Sequence, residues 1–220
     1  MTQPLITDVE TEFGIGRLHR YRASEPMKAV LVLGHGAGGG IDARDLTAIA
    51  DSFAGSDLGR VLIEPPRVVV GKQVPPAPAR VDACGVPLVH AARGRDLPLI
   101  VGGRSAGARV ACRTADDVGA IGILALAFPL HPPGRPAMSR IDELTASGLP
   151  TLVMQGARDP FGSSRAVKAN TKGYPTVTVV SIAAADHGFK VPAAATSTTD
   201  RALKQITDGI TRESWRWFQR

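Results

Sequence analysis

Six short apolar runs recur along the chain, each bounded by Gly or Pro and followed by a stretch of helical length. They are KAVLVL (28–33), GRVLIE (59–64), LPLIVGG (97–103), IGILALAF (121–128), PTLVMQG (150–156) and PTVTVVSI (175–182). None alternates polar with apolar residues, which is how strands covered on both faces read. Between them lie DARDLTAIADSFAGS, ARVDACGVPLVHAAR, SAGARVACRTADD, SRIDELTAS and SSRAVKANTKG. Strands and helices in alternation predict an α/β fold with a mostly parallel sheet and crossover helices.

The flanks fit the same plan. ITDVETEFGIGRLHRYRA alternates around glycines and predicts an antiparallel hairpin at the sheet edge. The closing DRALKQITDGITRESWRWF puts Leu203, Ile206, Ile210 and Trp217 on one helical stripe, so it should dock on the sheet. PPRVVVGKQVPPAPAR (65–80) is proline-rich but lies between two elements of one sheet, and reads as a loop rather than a linker. Residues 1–220 are expected to form a single domain with no internal repeat.

Composition narrows the function. At 44% hydrophobic and 21% charged residues, a chain of this length can bury a full core without staples. The only cysteines, Cys84 and Cys112, sit in no spaced framework, which predicts small buried hydrophobes in a reducing cytoplasm. No leader pattern opens the chain, and no apolar stretch reaches the length of a membrane span. The net charge of +6 comes from scattered arginines, and aromatics make up only 5%, so nucleic acid is not expected as a partner. The five histidines are dispersed, so no metal site and no cofactor is expected.

The chemistry concentrates in LIVGGRSAGARVACR (99–113). A serine hydroxyl is a poor nucleophile unless a base takes its proton, a third group orients that base, and donors await the oxyanion. Gly103-Arg104-Ser105-Ala106-Gly107 has the G-x-S-x-G spacing that turns a strand sharply into a helix. Partners follow in the order Ser, Asp, His: Asp159 beyond TLVMQG, and His187 beyond VTVVSI. Both fall past strand carboxyl ends, where open α/β sheets bind ligands. Asp186, the neighbour of His187, is a weaker candidate for the acid.

Oxyanion donors are expected from the Ala106 amide and from GHGAGGG (34–40), with Ala37 the first choice and Gly38 its alternate. That loop also supports a rival reading. Gly34, Gly36 and Gly39 fit the dinucleotide spacing G-x-G-x-x-G, and Glu64 ends the next strand where a ribose-binding acid would stand. The rival leaves Ser105, Asp159 and His187 unexplained.

Together, LVLGHGAGGG, IVGGRSAGARVA, FPLHPPGRP, TLVMQGARDPFG and ADHGFK resemble the small α/β-hydrolase-fold proteins of the dienelactone-hydrolase-like group. The likeness is to the branch that includes a testis-expressed protein and a subunit of a histone acetyltransferase complex, and it runs from about Lys28 to Lys190. It implies an α/β-hydrolase fold with helices on both faces of the sheet and no large lid domain. It also implies Ser105 as nucleophile, Asp159 as acid and His187 as base. A dienelactone hydrolase proper uses cysteine, so Ser105 is a departure that argues against dienelactone chemistry.

Arg104 beside Ser105 and Arg135 in LHPPGRP, if either faces the pocket, would suit an acidic or phosphate-bearing substrate; Arg109 lies one helical turn on, and His131 and His35 are further candidate substrate contacts. The commoner role for such arginines is an ion pair or a loop anchor. The expectation is therefore a cytoplasmic serine hydrolase acting on a small ester or thioester. A catalytically weak binding scaffold with a protein partner is the alternative.

Overall fold

A computed structural model describes residues 3–24, 26–71, 77–94, 97–193 and 199–218, with residues 209–218 in backbone alone. The N-terminal alternating segment forms β1 (Leu5–Thr11) and β2 (Gly14–Tyr21). The six apolar runs become β3 (Ala29–Gly34), β4 (Leu58–Glu64), β5 (Leu99–Arg104), β6 (Gly122–Leu126), β7 (Thr151–Gly156) and β8 (Val177–Ile182). One eight-stranded sheet results, in the order β1-β2-β4-β3-β5-β6-β7-β8. From β4 across to β8 every neighbouring pair is parallel. Only β2 runs antiparallel to its neighbours, β1 on one side and β4 on the other.

The apolar runs fill both faces because successive side chains on a strand point opposite ways. Val30, Val32, Val101, Ile123 and Ala125 face one core; Leu31, Leu33, Ile100, Leu124 and Leu126 face the other. On the first face lie α3 (Pro78–Arg93), α4 (Ala106–Thr114), α5 (Ile141–Thr145) and α6 (Ser164–Asn170), anchored by Leu88, Ala111, Leu144 and Val167. On the second lie α1 (Arg44–Ser52) and α7 (Thr199–Phe218), through Leu46, Ile49, Ala202 and Ile206. Leu203 packs beside them, whereas the side chains of Ile210 and Trp217 fall outside the described residues.

Three local expectations change. The segment 65–80 is not wholly loop: Pro66–Val69 form a short helix, α2, and α3 already begins at Pro78. Proline at a first helical turn is preorganised, its missing N–H being one of the orphans anyway. Residues 72–76 of that segment lie outside the described residues, and with them the question of whether the segment closes over the site. β8 is only half-buried, because it is an edge strand with no neighbour beyond it among the described residues. SRIDELTAS yields just five helical residues in α5.

Parallel strands end on the same edge, so the segments following β3, β5, β7 and β8 converge there. The backbone is forced into its least common conformations at that edge. Among the described residues, Ser105, Ala127, Ala184 and Phe189 are the non-glycine residues with positive φ, and each directly follows a strand of the parallel set or lies in the loop carrying His187.

Candidate active site

Ser105 stands alone between the last residue of β5 and the first of α4, with φ 53° and ψ −109°. Such a conformation costs on the order of 1–3 kcal/mol and persists only where the surroundings hold it. The Ser105 N–H donates to the Leu126 carbonyl at 2.9 Å, and the Ser105 carbonyl accepts from the Arg109 N–H at 3.2 Å. The flanking glycines are steric requirements: a Cβ on Gly103 or on Gly107 would collide with the Gly34 carbonyl oxygen. The spacing found in the sequence is what lets β3, β5 and α4 touch at this corner.

The candidate base and acid come from the two loops beyond. His187 Nε2 lies 2.9 Å from Ser105 Oγ, and its Nδ1 lies 2.7 Å from Asp159 Oδ2. The Asp159 side chain is fully buried while that of His187 keeps 18% exposure, so the carboxylate is sheltered and the imidazole stays open to solvent. Asp159 Oδ1 accepts the Phe161 N–H at 2.8 Å, and the Phe161 ring meets the imidazole edge-on with centroids 4.4 Å apart. Asp186, the weaker candidate, is engaged elsewhere, and the imidazole contact goes to Asp159. The Asp186 carboxylate accepts the N–H groups of Gly188 and Lys190 at 2.8 and 2.9 Å, closing the turn that presents His187.

The glycine loop after β3 passes directly beside Ser105: a Cβ on Gly36 would sit 3.6 Å from Ser105 Cβ. Ala37 follows, half-buried, whereas Gly38 is exposed. The Ala106 N–H opens α4, where a helix has amides with no carbonyl of its own to bond. Together they bring candidate donors close to Ser105.

Several expected substrate contacts have other partners. Arg104 is turned inward: its Nε lies 3.1 Å from the buried Asp45 carboxylate and its Nη2 donates to the His187 carbonyl at 3.1 Å. Arg109 forks onto Glu143 at 2.8 and 2.7 Å, and Arg113 bridges Glu143 to Asp82, so these charges tie α4 to α5 and α3. His35 is only 6% exposed; its Nδ1 donates to the Gly36 carbonyl at 2.8 Å, which makes the ring an anchor of the glycine loop. Burial holds that imidazole below the ordinary histidine range, so it stays neutral. His131 is half-buried, with Nδ1 donating to the Pro132 carbonyl at 3.0 Å, and Arg135 is exposed on the same loop. Glu64, the residue a dinucleotide would need, is held 2.6 Å from His19 Nε2.

Two supporting residues escaped the sequence reading. Gln155 is fully buried at the end of β7, and its amide nitrogen lies within 3.0 Å of Asp159 Oδ2, 3.2 Å of the Phe128 carbonyl and 2.7 Å of the Gly162 carbonyl. The signal was a lone polar residue inside an apolar strand, since a buried amide must find partners. Asp45, 4% exposed in the first turn of α1, is the second. Burial pushes its carboxyl up, against the charge of Arg104 and the Leu46 N–H, which pull it down. Among the described residues there is no cluster of three or more His, Cys, Asp or Glu fit to hold a metal ion, and no helix is long and apolar enough to cross a membrane.

Comparison with known proteins gives the geometry a context. Residues 27–214 match the family described as an alpha/beta hydrolase domain. A Xanthomonas campestris protein described as an a/b serine hydrolase without lid has the same shape, at TM-score 0.68 and 18% identity, over 96% of this chain and 95% of that one. A Coxiella burnetii protein described as an alpha-beta serine hydrolase homologue aligns at TM-score 0.70 and 16% identity, over 96% and 98% of the two chains. Est1E from Butyrivibrio proteoclasticus aligns at TM-score 0.73 and 12% identity, over 98% and 99%. At these identities the likeness is one of fold. No curated protein matches the chain in sequence.

Proposed function

The chain belongs to the alpha/beta hydrolase domain family, and from that premise we propose that it is a serine hydrolase cleaving a small carboxylic ester or thioester. One observation carries the reading: a hydroxyl, an imidazole and a buried carboxylate are joined in series at 2.9 and 2.7 Å, on a strained turn at the carboxyl edge of the sheet.

In this reading Ser105 Oγ attacks the acyl carbon as its proton passes to His187 Nε2. Asp159 holds the Nδ1 proton and stabilises the imidazolium. The oxyanion that forms is met by the Ala106 and Ala37 amides, with Gly38 the alternate second donor; losing one such donor typically costs about 10²–10³ in rate. The tetrahedral adduct collapses, His187 delivers its proton to the departing alkoxide or thiolate, and an acyl-Ser105 ester remains. Water, deprotonated by His187, then attacks that ester, and Ser105 leaves with the returned proton.

The substrate side is the loop bearing His131, whose N–H bonds the Phe161 carbonyl at 3.2 Å. The pairing of Arg104, Arg109 and Arg113 with carboxylates favours a neutral substrate over an anionic one. On the motifs that carry the resemblance, we place the protein among dienelactone-hydrolase-like members, with serine chemistry in place of cysteine. Two buried free cysteines favour the cytoplasm.

The test is turnover of p-nitrophenyl acetate and butyrate by the wild type beside Ser105→Ala. Saturable hydrolysis lost in the variant supports the proposal. Equal rates in the two, or none in folded wild type, would reject it and leave the binding scaffold.

A further inference from the structure

Resting on that reading, we infer that Arg104 and Asp45 form a positioning device that fixes the main chain of His187 relative to the nucleophile. Arg104 immediately precedes Ser105, so any constraint on its guanidinium also constrains the turn that carries the nucleophile. Its Nη2 donates to the carbonyl of His187 itself, 3.1 Å away. Its Nε sits 3.1 Å from Asp45 Oδ2. One planar fork therefore joins three elements: the nucleophile turn, the histidine loop and the first turn of α1.

The neighbouring backbone is shaped around this fork. A Cβ on Gly36 would come within 3.1 Å of Arg104 Nη1, and one on Gly188 within 3.6 Å of Nη2. The glycine loop and the histidine loop thus both leave room for the guanidinium. Its side chain is 20% exposed and that of Asp45 only 4%, so the pair is largely shielded from solvent.

The device answers a specific problem. The histidine loop holds Ala184 and Phe189 at positive φ, and its internal bonds run mainly through Asp186. Those bonds shape the turn without tying its main chain to the Ser105 side, which His187 otherwise reaches through its imidazole. Arg104 supplies that tie, and Asp45 holds Arg104 in the required rotamer. Lysine cannot substitute, because a single ammonium lacks the planar group that donates to the His187 carbonyl through Nη2 while its Nε edge faces the Asp45 carboxylate as an ion pair.

The experiment compares wild type, Arg104→Lys, Arg104→Gln, Asp45→Asn and the double variant Asp45→Asn/Arg104→Gln. Ester turnover, thermal unfolding and hydrogen exchange of the 183–190 segment are followed in each. The expected result for Arg104→Lys is near-wild-type melting with kcat lowered about 10²-fold, the scale on which small misplacements act. KM should change less than threefold. Exchange across 183–190 should rise in every Arg104 variant and in Asp45→Asn. If the pair acts as one unit, the double variant is no slower than Arg104→Gln alone. Should Arg104→Gln fail to fold with a buried carboxylate unpaired, the double variant removes that charge and carries the test.

Unchanged kcat and unchanged exchange in Arg104→Lys and the double variant would overturn the inference. A folded wild type without turnover would reject the hydrolase reading instead, and the exchange data would still decide whether Arg104 fixes the loop.

Discussion

Among the described residues there are two histidine–carboxylate pairs of nearly equal length. His187 meets Asp159 at 2.7 Å and His19 meets Glu64 at 2.6 Å. Both imidazoles are largely buried, and both carboxylates come from strand ends or the turns just beyond. The second pair is a cross-strand brace. His19 on β2 lies opposite Leu62 in the antiparallel register, so it reaches diagonally to Glu64 on the same face of β4. What separates the pairs is the far nitrogen. His19 offers Nε2 to its carboxylate, whereas His187 offers Nδ1 and keeps Nε2 for Ser105. A close imidazole–carboxylate contact is thus not a sign of chemistry; a third group in line, at the carboxyl edge of a parallel sheet, is.

The sharpest way to break this comparison is to remove each pair in turn. His187→Gln should lower kcat/KM on the order of 10⁶-fold, the scale of losing a triad base. His19→Gln should leave kcat/KM within threefold and lower stability by about 1–3 kcal/mol, the cost of breaking a buried hydrogen bond to a charged group. Paired p-nitrophenyl butyrate kinetics and urea melts check both. Comparable losses of activity from the two would dissolve the distinction.

A second contrast concerns what stands behind each carboxylate. Asp159 has Gln155 behind it, while no comparable amide stands behind Glu64 among the described residues. Gln155→Leu should destabilise the fold by about 2–3 kcal/mol, because it deprives three buried acceptors of one amide, and should also slow turnover. Urea denaturation with parallel kinetics reads both effects; a variant as stable and active as wild type would show that the amide is idle.

Away from both pairs, Glu143 supplies the pH dependence. Its burial raises the carboxyl, but bonds from Arg109 and Arg113 outweigh it and hold the group below the ordinary glutamate range. A depressed folded-state value means stability that is present above the unfolded-state range and lost as pH falls through the folded one. Melting temperature should therefore drop between pH 5 and about pH 3 more steeply in wild type than in Glu143→Gln. Parallel curves would remove Glu143 from the account.

The smallest effect lies at Cys112, whose thiol burial pushes up to about 12. In native protein at pH 8 it should stay unreacted with a disulfide reagent over minutes and react fully in urea. Rapid native labelling would mean that α4 opens.

The parts of this arrangement differed in how far they could be read from sequence. Apolar runs at regular spacing specified the parallel sheet, because strands buried on both faces have few residue types open to them. Ser105, Asp159 and His187 stood out by type and chain order, which a parallel sheet turns into a shared edge. Their distances did not follow from order. Asp45 belongs to an element far from Arg104 in sequence, and no local pattern marks a partner brought close only by the order of strands. His35 and Arg104 suggested substrate contacts because their burial was invisible. The Pro-rich segment hid α2, since proline punctuates loops and starts helices alike.

The central claim is that Ser105 is an activated nucleophile. Labelling with a fluorophosphonate probe, wild type beside Ser105→Ala, read by intact mass and peptide mapping, tests it without assuming a substrate. The account predicts one adduct per wild-type chain, mapped to Ser105, and none on the variant. No adduct on folded wild type, or an equal adduct on the variant, would contradict it.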